Sequence, residues 1–189
     1  MKTLIVYGTR YGSTAAISEE IAKVLRDESL GFDVKVMNAK KERIMDISEY
    51  QLVVVGSGLQ MDKWTGEADD FLKRFRKDLA QKRVAIFVSS AFVPLYKKQG
   101  KTAEVERARK KYLEEKAESY SLKPIAMEIF GGVLDFNNMG FLARRTLSWV
   151  KPSFEAAGFE ETKPGVYDTR DWDEIRDWAR KLILKAKYL

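Results

Sequence analysis

Five strand-like runs set at intervals between helical stretches constrain this 189-residue chain more than anything else in it. Residues 4–7, 50–56 and 84–88 are nearly continuous in Ile, Leu and Val, the pattern of parallel strands covered on both faces. Residues 32–36 alternate polar and apolar, and 124–132 open on Pro124, which a strand tolerates at its first position. Between these runs the apolar spacing turns helical: Ile17, Ile21, Val24 and Leu25, then Phe71, Leu72 and Phe75 within 65–79, then Val105, Ala108, Tyr112 and Leu113 within 102–119. A closing helix starts at Asp171, with Glu174 completing an acidic capping box, and continues through Ile175, Trp178 and Leu182. Such alternation predicts one doubly wound α/β domain over residues 1–189, a five-stranded parallel sheet with helices on both faces. The first helix is expected to end near residues 30–31 with Gly31 as its cap. Residues 38–49 read as a polar connection with one loose turn, and 94–123 and 132–170 as basic insertions.

In a sheet of this kind ligands sit beyond the carboxyl ends of the strands, so the first strand-to-helix loop comes next. Thr9, Arg10, Tyr11, Gly12, Ser13, Thr14 and Ala15 fill it. The free N–H groups at the start of a helix carry the positive end of its dipole and suit a phosphate. Thr9, Ser13 and Thr14 add hydroxyls, and Gly12 permits close approach of the backbone. A Walker loop requires Gly-Lys-Ser/Thr, and a dinucleotide loop Gly-x-Gly-x-x-Gly; neither occurs here. The Gly56-x-Gly58 pair has Met61 where the third glycine would stand, so it is a decoy. The residues alone leave two readings open, a monophosphate site or an ordinary Ser/Thr helix cap.

The chain has no cysteine and no histidine. That excludes disulfides, iron–sulfur clusters, thiol catalysis, Ser/His or Cys/His pairs and the usual zinc ligands. A chain stripped of these groups points to a bound cofactor that does the chemistry. A phospho-receiver of the same fold class needs acids at the ends of strands one and three, where this chain has Tyr7-Gly8-Thr9 and Val55-Gly56-Ser57. No apolar segment has the shape of a signal peptide or the length of a membrane span, so the expected location is the cytoplasm.

Residues 5–14, Ile-Val-Tyr-Gly-Thr-Arg-Tyr-Gly-Ser-Thr, followed by Ile21, resemble the N-terminal signature of the flavodoxins, with Ser18 where that signature usually has alanine. The resemblance covers the chain in element order and implies a sheet ordered 2-1-3-4-5. It also implies FMN, its phosphate held by Thr9 to Ala15. The flavin ring would then lie between Ser57, Gly58, Leu59, Gln60, Met61 and Trp64 on one side and Ser89, Ser90, Ala91 and Phe92 on the other. Trp64, Met61, Leu59 and Phe92 are the candidate covers of the ring, each with core packing as its alternative.

The implied function is electron transfer between redox partner proteins. Flavodoxins are typically acidic, whereas this chain has a net charge of +6. It is similar in more detail to the flavodoxin-type, quinone-dependent protoporphyrinogen oxidases, through Thr3, Leu4, Ile5, Thr9, Arg10, Gly12 and Thr14 and through Val54-x-Gly56-x-Gly58. The alternative function is therefore oxidation of protoporphyrinogen with a quinone as acceptor. Residues 97–123 hold nine basic and five acidic side chains, and 139–151 mix Phe141, Leu142 and Trp149 with Arg144, Arg145 and Lys151. The latter stretch reads either as an interfacial helix touching a membrane peripherally or as a helix packed on the domain. Basic and acidic residues are mixed throughout and no recognition motif is present, so nucleic acid is not an expected partner.

Overall fold

The structure is a computed structural model in which residues 1–28, 31–138, 145 and 150–188 are described. Its centre is a parallel sheet ordered β2-β1-β3-β5-β6, built from β1 (Lys2–Gly8), β2 (Asp33–Asn38), β3 (Leu52–Gln60), β5 (Arg83–Ser89) and β6 (Ala126–Phe130). The five parallel strands thus follow the expected 2-1-3-4-5 order. Their register aligns Val6 with Val55, Val55 with Ile86 and Ile86 with Met127. Side chains alternate across each strand, so two cores form. Leu4, Val6, Val53, Val55 and Ile86 face α2 (Gly66–Arg74) and α3 (Arg76–Leu79), with Leu113 closing the layer. Ile5, Val54, Ala85 and Phe87 face α1 (Ser13–Asp27) and the closing helix (Trp172–Tyr188). Each large apolar side chain taken fully out of water contributes about 1.5–3 kcal/mol.

The structure departs from the sequence reading at several places. Helix α1 stops at Asp27, where the N–H of Glu28 closes on the carbonyl of Val24, so Gly31, at φ +130°, is not its cap. Leu30 lies outside the described residues, as does most of 139–151. The helix expected over 65–79 breaks at Phe75 into α2 and α3. Pro124 precedes β6 rather than opening it, which spares the ladder a missing donor. Helix α4 (Phe92–Lys98) is an addition, with Pro94 in its first turn, where a missing N–H breaks no intrahelical bond.

The helix read over 102–119 is present as α5 (Thr102–Arg109), a π-turn (Lys110–Glu114) and α6 (Glu115–Ser119). The long connection 132–170 contains a second, antiparallel sheet ordered β7-β9-β8, from Val133–Asp135, Val166–Asp168 and Glu161–Lys163. With the short helix Lys151–Ala156 it encloses Leu134, Phe136, Phe154 and Tyr167. Asp171 does cap the closing helix, its Oδ1 accepting the N–H groups of Asp173 and Glu174 at 3.0 Å. The Glu174 carboxylate instead accepts from Lys97 Nζ at 2.9 Å, tying the helix to α4.

Candidate functional site

The ends of β1, β3 and β5 and the turns that follow them meet at one sheet edge. Gly12 precedes α1 with φ +91°, a left-handed conformation that costs glycine little, and its N–H donates to Thr9 Oγ1 at 3.0 Å. The first intrahelical bond runs from the Ala16 N–H to the Gly12 carbonyl. No side chain caps the helix and its first turn holds no acid. The N–H groups of Ser13, Thr14 and Ala15 are therefore left to an outside acceptor. Their side-chain surroundings are tight: Thr14 Oγ1 lies 2.9 Å from Ser89 Oγ, both buried, and Ser13 Oγ lies 3.4 Å from the same oxygen. This hydroxyl group joins the β1–α1 loop to the end of β5.

Strand β3 does not stop at residue 56 as expected but runs to Gln60 and returns as β4 (Lys63–Trp64). The two turn residues, Met61 and Asp62, have φ +46° and +66°, the arrangement of a two-residue hairpin that usually requires Asn or Gly. Met61 stands at the tip, 89 % exposed. The Asp62 carboxylate ion-pairs with Lys111 on the π-turn, so the hairpin tip is strapped to the opposite helix. At Gly58 an added Cβ would lie 3.2 Å from Thr14 Oγ1, and at Gly132 one would lie 3.2 Å from the Ala91 nitrogen. Both glycines bring backbone to the edge of the site.

Together these elements wall a cleft of about 610 Å³, a size typical of small-molecule and cofactor sites. Of the residues expected from the sequence, Arg10, Tyr11, Ser13 and Thr14 line it from the first loop, Gly58, Leu59 and Met61 from the hairpin, and Ser89 to Phe92 from the β5–α4 turn. Phe92 lines the cleft and also packs its ring 5.8 Å from that of Phe154.

Other expected residues do not line the cleft. Thr9 and Gly12 bond to each other within the loop, and Ala15 is not among the lining residues. The Ser57 hydroxyl donates to the Gly58 carbonyl and accepts the Thr65 N–H, a structural role. Trp64, read as a ring cover, is turned into the core instead: it is 6 % exposed and its Nε1 donates to the Tyr112 carbonyl at 2.8 Å. Trp64 pairs with Leu59 across the hairpin, and both pack on the core that includes Phe71 and Leu72. The side chain of Gln60 lies outside the described residues.

The sequence reading missed the opposite wall. One face of α5 and the π-turn, Glu104, Arg107, Ala108, Lys111 and Tyr112, lines the cleft with Tyr96 of α4 and Val133 to Asp135 of β7. The spacing of 104, 107, 108, 111 and 112 is that of a single helix face, a signal present in the sequence, where Ala108 and Tyr112 read as apolar-face positions and the charged residues as solvated. Arg10 and Arg107 make no ion pair or hydrogen bond with the described residues. Asp135 is engaged, its two oxygens accepting from the Asn137 N–H and Asn138 Nδ2. Among the described residues no group of three or more acidic side chains could hold a metal ion, and no helix is long and apolar enough to cross a membrane.

A family model described as a flavodoxin domain matches residues 4–157. The quinone-dependent protoporphyrinogen IX dehydrogenase of Escherichia coli K12 is 22 % identical over 182 residues, which cover 96 % of this chain and 94 % of that protein. Its namesake from Leishmania major is 24 % identical over 178 residues, 94 % of this chain and 73 % of the other. Among solved structures, a flavodoxin from the domain Archaea superposes with a TM-score of 0.56 at 16 % identity, with all of both chains covered. A short-chain flavodoxin associated with a PDU bacterial microcompartment gives 0.57 at 12 % identity, covering 98 % of this chain and 99 % of the other.

Proposed function

This chain belongs to the flavodoxin domain family, and on that footing we propose that it is a redox protein that holds FMN in the cleft and carries electrons between partner proteins. The observation that carries the reading is the uncapped start of α1, which opens on the cleft beside the ends of β3 and β5. Its donor set fits a phosphate monoester: N–H groups of Ser13, Thr14 and Ala15, the Ser13 hydroxyl, and the unpaired Arg10 guanidinium at the rim. The backbone of Gly58 and Leu59 and of Ser90 to Phe92 would hold the polar edge of the ring, with Leu59 and Phe92 against its faces. Bound there, FMN supplies one- and two-electron chemistry, for which the chain needs no histidine or cysteine. The protein's part is to exclude water from the ring and to set the charge around it; Arg107 favours a reduced, anionic flavin and Glu104 opposes it.

The test is the visible spectrum of the isolated protein, followed by FMN titration of protein stripped of ligand. A stoichiometric flavin spectrum is expected; a colourless protein that takes up no FMN would refute the reading.

One observation favours a second reading: the similarity to the protoporphyrinogen IX dehydrogenase of Escherichia coli spans nearly all of both chains. On that reading the protein is an enzyme that passes electrons from protoporphyrinogen to a quinone. Anaerobic incubation of the FMN-loaded protein with protoporphyrinogen and a soluble quinone then yields porphyrin fluorescence, and the carrier reading yields none. A cytoplasmic location fits either reading, and flotation with anionic liposomes tests peripheral contact through residues 139–151.

A further inference from the structure

The residues assigned to the cofactor account for only one side of the cleft. The other side is the helix face of α5 and the π-turn, to which the cofactor reading gives only an influence on the charge around the ring. On this face Ala108 is small and buried, and it lines the cleft together with the aromatic Tyr112 and Tyr96. The charges on it sort by what they already hold. Lys111 is neutralised by Asp62, and both Asp135 oxygens accept hydrogen bonds from Asn137 and Asn138. Arg107 and Glu104 have no side-chain partner among the described residues, and Asp135, which accepts only from the neutral Asn137 and Asn138, keeps its negative charge. Arg10 also has no partner among the described residues, so Arg10 and Arg107 are the two lining cations outside an ion pair, against the carboxylates of Glu104 and Asp135.

We propose that Arg107 sets the charge preference of a second compartment in this cleft, selecting a flat organic redox partner that carries one acid group over its neutral counterpart. This rests on the cofactor reading for the placement of the flavin on the facing wall. A guanidinium offers parallel donors to a carboxylate or sulfonate, and such charge-assisted pairs are stronger than neutral ones. The ring of the ligand takes the lining of Ala108, Tyr112 and Tyr96, and its acid group takes Arg107. Glu104, one turn earlier on the same face, and Asp135 of β7 work against the anion and limit its affinity.

The experiment measures binding, by calorimetry, of 1,4-naphthoquinone-2-sulfonate and of neutral 1,4-naphthoquinone to the oxidised, FMN-loaded chain. Neither ligand meets a thiol, since the protein has no cysteine. Arg107→Gln is expected to weaken the sulfonate about tenfold and to leave the neutral quinone unchanged, with Arg107→Lys in between. Glu104→Gln is expected to tighten the sulfonate, and Lys187→Gln, the same loss of charge on the closing helix, to change neither.

An unchanged ratio of the two affinities in Arg107→Gln overturns the proposal, as does an equal loss in Lys187→Gln or a wild-type preference for the neutral ligand. Flavin loading is read separately from the visible spectrum. A chain that takes up no FMN would remove the cofactor reading, while the same titration on the unloaded chain would still test Arg107, because the wall belongs to the polypeptide.

Discussion

Replacing Ser13 by aspartate should move stability and cofactor affinity in opposite directions. Ser13 is the first residue of α1, half-buried at the rim of the cleft, in a first turn that holds no acid and no side-chain cap. A carboxylate there satisfies free N–H groups and meets the positive end of the helix dipole, a gain of about 0.3–1 kcal/mol. For a chain of this size that corresponds to a rise in Tm of about 1–3 °C in the cofactor-free protein. The same carboxylate occupies the place proposed for the phosphate. Two like charges about 4 Å apart repel by about 4 kcal/mol at an effective dielectric of 20, which is about a thousandfold in affinity. The Ser13 hydroxyl sits 3.4 Å from Ser89 Oγ, too long a hydrogen bond for its removal to matter beside this.

Titration by quenching of FMN fluorescence gives the affinity, and thermal unfolding without ligand gives the stability. Ser13→Asn, uncharged and close to aspartate in size, separates charge from bulk and should bind within a few-fold of the parent. Aspartate and asparagine variants that lose affinity equally, or an aspartate variant that binds FMN as tightly as the parent, would refute the phosphate assignment.

Further predictions concern the frame of the cleft. Trp64→Phe removes the donor to the Tyr112 carbonyl and should cost about 1–3 kcal/mol in urea unfolding, because that carbonyl is left without its partner. Gly131→Ala places a Cβ 1.9 Å from the Thr169 carbonyl oxygen, a backbone obstacle that cannot rotate away, and should destabilise by about 3 kcal/mol or more. Burial disfavours the charged form of Asp168, but its bonds to the Arg170 guanidinium and N–H outweigh this and hold its pKa below the usual carboxylate value. Its contribution is therefore complete above the unfolded value near 3.8 and is lost as pH falls through the lowered one; Asp168→Asn should flatten the stability profile below about pH 4. Burial, with Asp69 beside it, pushes the Tyr120 hydroxyl up to about 12, and burial also raises Tyr50 and Tyr167, so ultraviolet titration should show these phenols ionising later than an ordinary one.

Whatever local periodicity governs could be read from the chain alone. Near-continuous runs such as 52–55 and 84–88 read as strands covered on both faces, and Ile17, Ile21 and Leu25 as a helix stripe against them, and the structure has both. The phosphate-loop candidate was legible for the same reason: residues 9–15 are contiguous, and a strand-to-helix turn fixes where their N–H groups point. Contacts far apart in the chain belonged to the tertiary structure. Trp64 looked like a ring cover until the Met61–Asp62 turn folded it back onto the sheet. Three-residue strands such as β7 and β9 carry no periodic signal of their own and form only by pairing across some thirty residues. Ala108 and Tyr112 read as part of a helix's apolar face and Arg107 as one of its solvated charges, because nothing local distinguishes a packed or solvated face from the wall of a cleft. That difference arises only when the hairpin tip and α5 meet over the sheet edge, where Asp62 and Lys111 close the contact.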